Sequence, residues 1–372
     1  MTPTTLPCVD ATIDPTRSYW LEHVHYLWPH QTVRVPDKQG RTWEIAYVDL
    51  YDGPGDKATA PTLVLIHGRG MNCSYWGDLL AKPLAAGWRV VALDWSHSGK
   101  SLPLNLHIPV NRLLADSRQV VYNVVVGHLG IARASYLGHS LGGQTVSGYA
   151  LQYPQHVERL VLYAATGLEP IPDIRIQGIW LNDPALAGSY QAFRDAWTAA
   201  GSLFSMGDTP EEATRAFLEP MRPGRAPYLP RGDALADYIV TMRARCLLGH
   251  PAERERYQQC HGWDLFATYC ECNVNDPAAI PRRLPDLEVP TLLALGTHEP
   301  VYPMWQSGNV SMLDDVVAPL YRAARARRTP LTVKLYEGGG HFLHVDCARD
   351  AFCGDVLAFL QGKEVAEAYD AA

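Results

Sequence analysis

The chain has 372 residues, 47% of them hydrophobic and 19% charged, with a formal net charge of −7. So mild a balance argues against the basic face of a nucleic-acid binder and the polybasic cluster of a membrane-surface anchor. No apolar stretch is long enough to span a bilayer, and the length suits either two average domains or one large α/β domain with an insertion.

Residues 1–14 show neither a basic start nor an apolar run, so no secretory signal is expected there. The eight cysteines, Cys8, Cys73, Cys246, Cys260, Cys270, Cys272, Cys347 and Cys353, accordingly read as reduced thiols of a cytoplasmic protein. Cys270-Glu271-Cys272 lacks the two-residue spacer and the second pair of a zinc site, so no metal is expected.

Residues 1–30 form an N-terminal arm. Its aromatic stretch from Tyr19 to Trp28 reads as an amphipathic helix docked on the body or as a contact within a homo-oligomer. His23 and His25, two apart, would not share a helix face, which argues against a metal pair. Strands are expected at 32–35 and 42–51, joined by Pro36-Asp37-Lys38-Gln39-Gly40 into a hairpin.

From Thr62 strands and helices alternate. Leu63-Val64-Leu65-Ile66 is a continuous apolar run, as in a strand buried on both faces, and it ends in His67-Gly68-Arg69-Gly70. A helix at about 75–86 leads to a strand at 88–93, closed by Asp94. A loop with Ser96, Ser98, Gly99 and Ser101 precedes a helix at about 110–129. An apolar run at 134–137 then rises into Gly138-His139-Ser140-Leu141-Gly142-Gly143, a helical pattern covers 144–153, and a strand covers 160–164.

The alternation stops between about 169 and 288, a stretch too long for a loop in a compact domain. Helical patterns near 190–200, 210–219, 234–248 and 252–259 make it a mostly helical insertion. Alternation resumes with a strand at 291–295, a helix at 313–327, a strand at 331–335 and a helix at 348–360. The pattern predicts an α/β fold with a mostly parallel, doubly wound sheet, its core at 31–168 and 289–372, and a helical cap at 169–288. Ligands are expected at the carboxyl ends of the strands.

Several of those ends carry chemistry. A serine at the apex of a strand–turn–helix needs small residues two positions to either side, and Gly138 and Gly142 supply them. A serine hydroxyl is a poor nucleophile without a base and a group to orient that base. For the base, His341 follows the last strand within Gly338-Gly339-Gly340-His341-Phe342; His344 is its nearest rival. For the acid, Glu299 lies in the loop after the strand at 291–295, and Glu169, after the preceding strand, competes with it. The amides of Leu141 and Arg69 are placed to receive an oxyanion. The Arg69 side chain reaches a substrate carboxylate or pairs with an acidic residue, the commoner use.

With these motifs in place the chain resembles the α/β-hydrolase family, in its cap-bearing, lipase- and esterase-like branch, over residues 60–168 and 289–361. The resemblance is carried by His67-Gly68 with Trp76, Asp94 leading to Gly99-Lys100-Ser101, the Gly-His-Ser-Leu-Gly elbow, the loop from Gly296 to Glu299, and Gly340-His341-Phe342. The chain order of serine, acid, histidine is also the family's. The resemblance implies Ser140 as nucleophile, His341 as base, Glu299 as acid, and oxyanion amides at Arg69 and Leu141, with no cofactor or metal.

Two departures qualify it. The family most often has aspartate at the acid position, which keeps Glu169 as the alternative. His97 stands where a glycine is usual, in a loop that shapes the pocket, which leaves the substrate class open. Serine at the elbow argues against the dehalogenases and epoxide hydrolases of the family, which use a carboxylate nucleophile. The insertion's aromatics, Trp180, Phe193, Trp197, Phe204, Phe217, Tyr228 and Tyr238, point to an apolar substrate of small to medium size, and its arginines Arg222, Arg225 and Arg231 read as a solvated face. The expected activity is hydrolysis of a carboxylic ester or lactone through an acyl-enzyme. Hydrolysis of a carbon–carbon bond in a β-diketone-type substrate and acyl transfer are alternatives on the same triad, as is ligand binding with little turnover.

Overall fold

Eight strands form one sheet in the computed structural model, which describes residues 20, 24–101, 113–168, 175–176, 179–180, 189–199, 209–220, 227–267, 283–299 and 312–366. The order is β1-β2-β4-β3-β5-β6-β9-β10. The strands are β1 (Gln31–Pro36), β2 (Thr42–Leu50), β3 (Thr62–Ile66), β4 (Arg89–Leu93), β5 (Ala134–His139), β6 (Val157–Tyr163), β9 (Thr291–Gly296) and β10 (Leu331–Tyr336). The pairs β1–β2 and β2–β4 are antiparallel, and every other pair is parallel. β3, β4, β5 and β9 are buried along their whole length, which accounts for their continuous apolar runs.

The predicted hairpin is present, with Val35 opposite Trp43. Asp37 closes its turn by accepting from the amides of Gln39 (2.8 Å) and Arg41 (2.9 Å), while Gly40 takes φ +76°. After β3 the chain moves to β4 on one side, then returns to β5 on the other. This reversal opens a crevice at the carboxyl ends of β3 and β5, where an open α/β sheet receives its ligands.

The connecting helices are α1 (Asp78–Ala85), α2 (Leu113–Tyr122), α3 (Leu141–Gln152), α8 (Ala318–Arg327) and α9 (Arg349–Leu360). Two helices expected to be continuous contain π-helical turns, Asn123–His128 after α2 and Met312–Val317 before α8. One extra residue per turn leaves an apolar pattern that still reads as a helix, so periodicity does not expose it.

Between β6 and β9 lie β7 (Arg175–Ile176), β8 (Ile179–Trp180), α4 (Tyr190–Ala199), α5 (Pro210–Leu218), α6 (Ala234–Thr241) and α7 (Pro251–Phe266). The β7–β8 pair is antiparallel; strands of two residues are too short to show an alternating pattern. Thr209 and Glu212 form a reciprocal capping box at the start of α5, and the Asp233 carboxylate caps α6. A π-helical turn, Met242–Leu247, continues α6. No described helix is long and apolar enough to cross a membrane.

Trp20 is helical but residues 24–30 are not, so the amphipathic helix expected at 19–28 does not run through 24–28. Their polar groups go to the body of the same chain instead. The Leu27 amide donates to Ser74 Oγ (2.5 Å), and the Tyr26 hydroxyl donates to Asp94 Oδ2 (2.5 Å). Trp20 is buried, and its amide donates to Glu253 Oε1 of α7 (3.1 Å).

Candidate active site

Ser140 stands between β5 and α3 with φ 53° and ψ −120°, a backbone conformation rare for a residue with a side chain. Close packing enforces it. A Cβ on Gly138 would lie 2.3 Å from the Gly142 carbonyl oxygen, and one on Gly142 would lie 2.1 Å from that of Ile66. The Ser140 amide donates to the Tyr163 carbonyl (2.9 Å), and its own carbonyl accepts from Thr166 (3.0 Å), so β6 grips the turn from below. Leu141 opens α3, where amides have no intrahelical acceptor and the helix dipole favours negative charge.

The ends of β9 and β10 bring the two other predicted groups together. A Cβ on Gly296 would lie 2.0 Å from the Gly339 carbonyl oxygen, so only glycine lets these loops approach so closely. The His298 amide donates to the Gly339 carbonyl (2.9 Å), and the Thr297 hydroxyl accepts from Gly338 N–H (2.9 Å). As a result Glu299, 1% exposed, presents both carboxylate oxygens at 3.0 Å from His341 Nδ1. With Nδ1 turned to Glu299, Nε2 is left for the cleft that His341 and Ser140 both line. Glu169, the competing acid, lies outside the described residues.

Three other buried histidines near the crevice are structural by their contacts. His344 meets the Tyr163 hydroxyl through Nδ1 (2.9 Å) and the Tyr75 carbonyl through Nε2 (3.1 Å), and burial pushes its pKa down to about 3. His67 places Nδ1 on the Gly68 carbonyl (2.7 Å), while its Nε2 accepts from the Trp95 amide (3.2 Å); burial pushes it down to about 3 as well. His139 was not singled out by the sequence. Its Nε2 lies 2.9 Å from the His341 carbonyl and its Nδ1 2.7 Å from the Tyr75 hydroxyl. Burial, reinforced by His341 and His344, holds it well below the usual histidine range. The available signal was its place between Gly138 and Ser140.

The cleft over Ser140 is bordered by Gly68, Arg69, Met71, Phe217, Tyr228 and Phe342, among others. The Gly68–Met71 turn, closed by Met71 N–H to the Gly68 carbonyl (3.2 Å), carries Arg69 to its edge. Of the aromatics expected over the site, Phe217 and Tyr228 reach it, the Tyr228 ring lying 5.7 Å edge-on from that of His341. Phe193 packs on Phe266 instead. Phe204 and the side chains of Trp180 and Trp197 lie outside the described residues, as do Arg222 and Arg225. Arg231 is exposed and faces Glu219 at 3.8 Å, as a solvated residue should. His97 reaches up from the loop after β4 to pair through Nε2 with Asp264 of α7, tying the helical segment to the sheet.

A family model described as the alpha/beta hydrolase fold matches residues 61–347. The chain belongs to the α/β-hydrolase family. Among curated relatives of this hydrolase is the 2-hydroxy-6-oxononadienedioate/2-hydroxy-6-oxononatrienedioate hydrolase of Paraburkholderia phymatum, 38% identical over 104 residues, 27% of this chain and 35% of that protein. A Pseudomonas putida protein of the same name, numbered 2, is 32% identical over 143 residues, 37% of this chain and 46% of that one. The chain thus matches between a third and a half of the length of these relatives. Among solved structures, the enol-lactonase of Burkholderia xenovorans LB400 aligns with a TM-score of 0.52 at 18% identity, covering 88% of this chain and 100% of that one. A hydrolase from Pseudomonas aeruginosa aligns at 0.56 and 20%, covering 89% and 98%. At these identities the structures share the fold.

Proposed function

We propose that this α/β hydrolase cleaves a carboxylic ester or lactone of a small to medium substrate through an acyl-enzyme on Ser140. The observation that carries the reading is the bidentate approach of Glu299 to His341 Nδ1 at 3.0 Å, beside a serine held at φ 53°. Nδ1 keeps its proton toward the carboxylate, so Nε2 takes the Ser140 proton as the hydroxyl attacks the carbonyl. The tetrahedral oxyanion is received by the amides of Arg69 and Leu141, donors fixed before the charge develops. Collapse expels the alcohol, which takes its proton from His341. Water, deprotonated by the same imidazole, then releases the acid. Glu299 stabilises the imidazolium at both stages and is the triad acid in this account, with Glu169 outside it.

On this reading residues 169–288 act as a cap, contributing Phe217 and Tyr228 to an apolar wall with Met71 and Phe342. The reaction needs no metal or cofactor, and a cytoplasmic setting suits the free thiols of Cys73, Cys260, Cys347 and Cys353. A second reading is favoured by the names of the curated relatives, which denote hydrolysis of a 2-hydroxy-6-oxo dienedioate. There the same triad would cleave a carbon–carbon bond beside a ketone. Steady-state rates on a panel of nitrophenyl esters, lactones and β-diketones separate the two. Turnover of the esters or lactones, lost in Ser140→Ala, is expected; turnover of diketones alone would transfer the assignment to the second reading.

A further inference from the structure

Arg243 is an unusual cation. It lies in the π-helical turn after α6, only 2% exposed, and among the described residues neither Nε nor Nη2 meets a hydrogen-bond acceptor. Its guanidinium sits against two rings, with Cζ 5.1 Å from the Phe217 centroid and 4.8 Å from that of Tyr257. Asp264 is the acid whose charge it feels, and that carboxylate is engaged by His97. Burial lowers the Arg243 pKa, and the neighbouring Arg69 adds to the effect. A guanidinium nevertheless stays charged, and a buried guanidinium edge with no hydrogen-bonded anion among the described residues is costly to keep.

Its position relates it to the reacting centre. A Cβ on Gly70 would lie 2.2 Å from Arg243 Nη1 and 3.2 Å from the Tyr257 hydroxyl, while one on Gly68 would lie 3.0 Å from Ser140 Cβ. The backbone between Gly68 and Gly70 spans at most about 7 Å, so the cation stands a short acyl chain away from the serine. Two hollows flank that backbone. One holds Ser140, and the other is lined by Gly70, Tyr257, His261 and the His97–Asp264 pair; Met71 borders both. Nε and Nη2 lie on one edge of the guanidinium, spaced to grip both oxygens of a carboxylate.

We infer that the acyl part of the substrate ends in a carboxylate, which runs along Met71 past Gly70 and is received by Arg243. The inference rests on Ser140 being the hydroxyl that reacts. It narrows the substrate to a half-ester or an equivalent anionic acyl donor, with an apolar middle and a charged end.

The test compares nitrophenyl butyrate with the nitrophenyl half-ester of glutaric acid. The wild-type enzyme is expected to favour the half-ester in kcat/KM. In Arg243→Met the ratio of half-ester to neutral ester should fall at least about 30-fold, the low end for truncating a buried charge contact, chiefly through KM, and Arg243→Lys should recover part of it. Equal kcat/KM for the two esters in the wild type, or an unchanged ratio in Arg243→Met, would overturn the inference. Calorimetric titration with glutarate reads the anion site without turnover, and decides the matter should the variants fold poorly. Saturable binding to wild type and to Ser140→Ala is expected, and no binding to either overturns the site. Glutarate binding with no turnover of any ester would leave the anion site standing while removing the ester reading of the Ser140 site. Ester turnover without preference or binding would do the reverse.

Discussion

His139 Nε2 donates to the main-chain carbonyl of His341 across 2.9 Å, so the residue before the elbow serine holds the backbone that carries the imidazole. Tyr75 fixes the other side of the ring through its hydroxyl, 2.7 Å from Nδ1. Because burial keeps His139 neutral, one nitrogen donates and the other accepts, and the two bonds together set the tautomer. β5 and the loop after β10, distant in sequence, are thereby locked at one height above the sheet.

If that lock positions the base, its loss should slow chemistry more than binding. His139→Leu is expected to lower kcat by about ten- to a hundredfold with little change in KM, since small misplacements of a catalytic group cost that much. Tyr75→Phe, which removes the outer bond and the acceptor for the Gly68 amide (3.3 Å) but leaves the His139–His341 bond, should lower it less. Steady-state kinetics on a nitrophenyl ester decide the point. A KM effect with kcat unchanged would mean that His139 shapes the pocket rather than the base.

Glu299 and Glu169 are separated by paired isosteric changes. Glu299→Gln keeps the shape but removes the charge that stabilises the imidazolium, and kcat should fall by about 10³–10⁴. Glu169→Gln should stay within a few-fold of wild type. The opposite ranking would move the acid to Glu169.

The elbow is intolerant of any added carbon. Gly142→Ala places a methyl group 2.1 Å from the Ile66 carbonyl oxygen, against backbone that cannot swing aside. We expect a loss of about 3 kcal/mol or more of stability, at or above the upper end for overpacked cores. Chemical denaturation measures it, and a variant as stable as wild type would show the turn to be looser than described.

Away from the site, Asp37 makes the hairpin pH-sensitive. Burial pushes its carboxyl up, but bonds from the Trp43 and Arg41 side chains and from the amides of Arg41 and Gln39 outweigh this and hold it below the usual range. A carboxylate depressed in the folded state stabilises the protein above its unfolded pKa, and that contribution is lost as pH falls through the folded value. Asp37→Asn should therefore lower Tm at pH 7, with the gap to wild type closing as pH drops below about 4. A gap that persists unchanged into acid would place the effect in packing rather than charge.

Much of this was legible in the sequence because the signals were local. Leu63 to Ile66 announced a strand buried on both faces, and Gly138, Ser140 and Gly142 announced the turn after another. His341 and Glu299 could be singled out because each follows a strand whose carboxyl end must face the crevice. What stayed hidden depends on contacts distant in sequence. Nothing in its neighbours tells that His139 reaches the His341 carbonyl, or that His97 finds Asp264 on α7. Arg243 lies in a helical pattern that read as ordinary, and only the fold brings Phe217, Tyr257 and Gly70 around it. The non-helical path of residues 24–30 likewise depends on Ser74 and Asp94.

The central claim is that Ser140 is the nucleophile, and covalent labelling tests it most directly. The enzyme would be treated with an alkyl fluorophosphonate and the modified peptide located by mass spectrometry, with residual ester hydrolysis followed in parallel. One phosphonyl group on Ser140 is expected, with activity lost in step with labelling, and neither labelling nor turnover in Ser140→Ala beyond about 10⁻⁴ of wild type. Full turnover in Ser140→Ala, or a label on another residue that tracks the loss of activity, would contradict it.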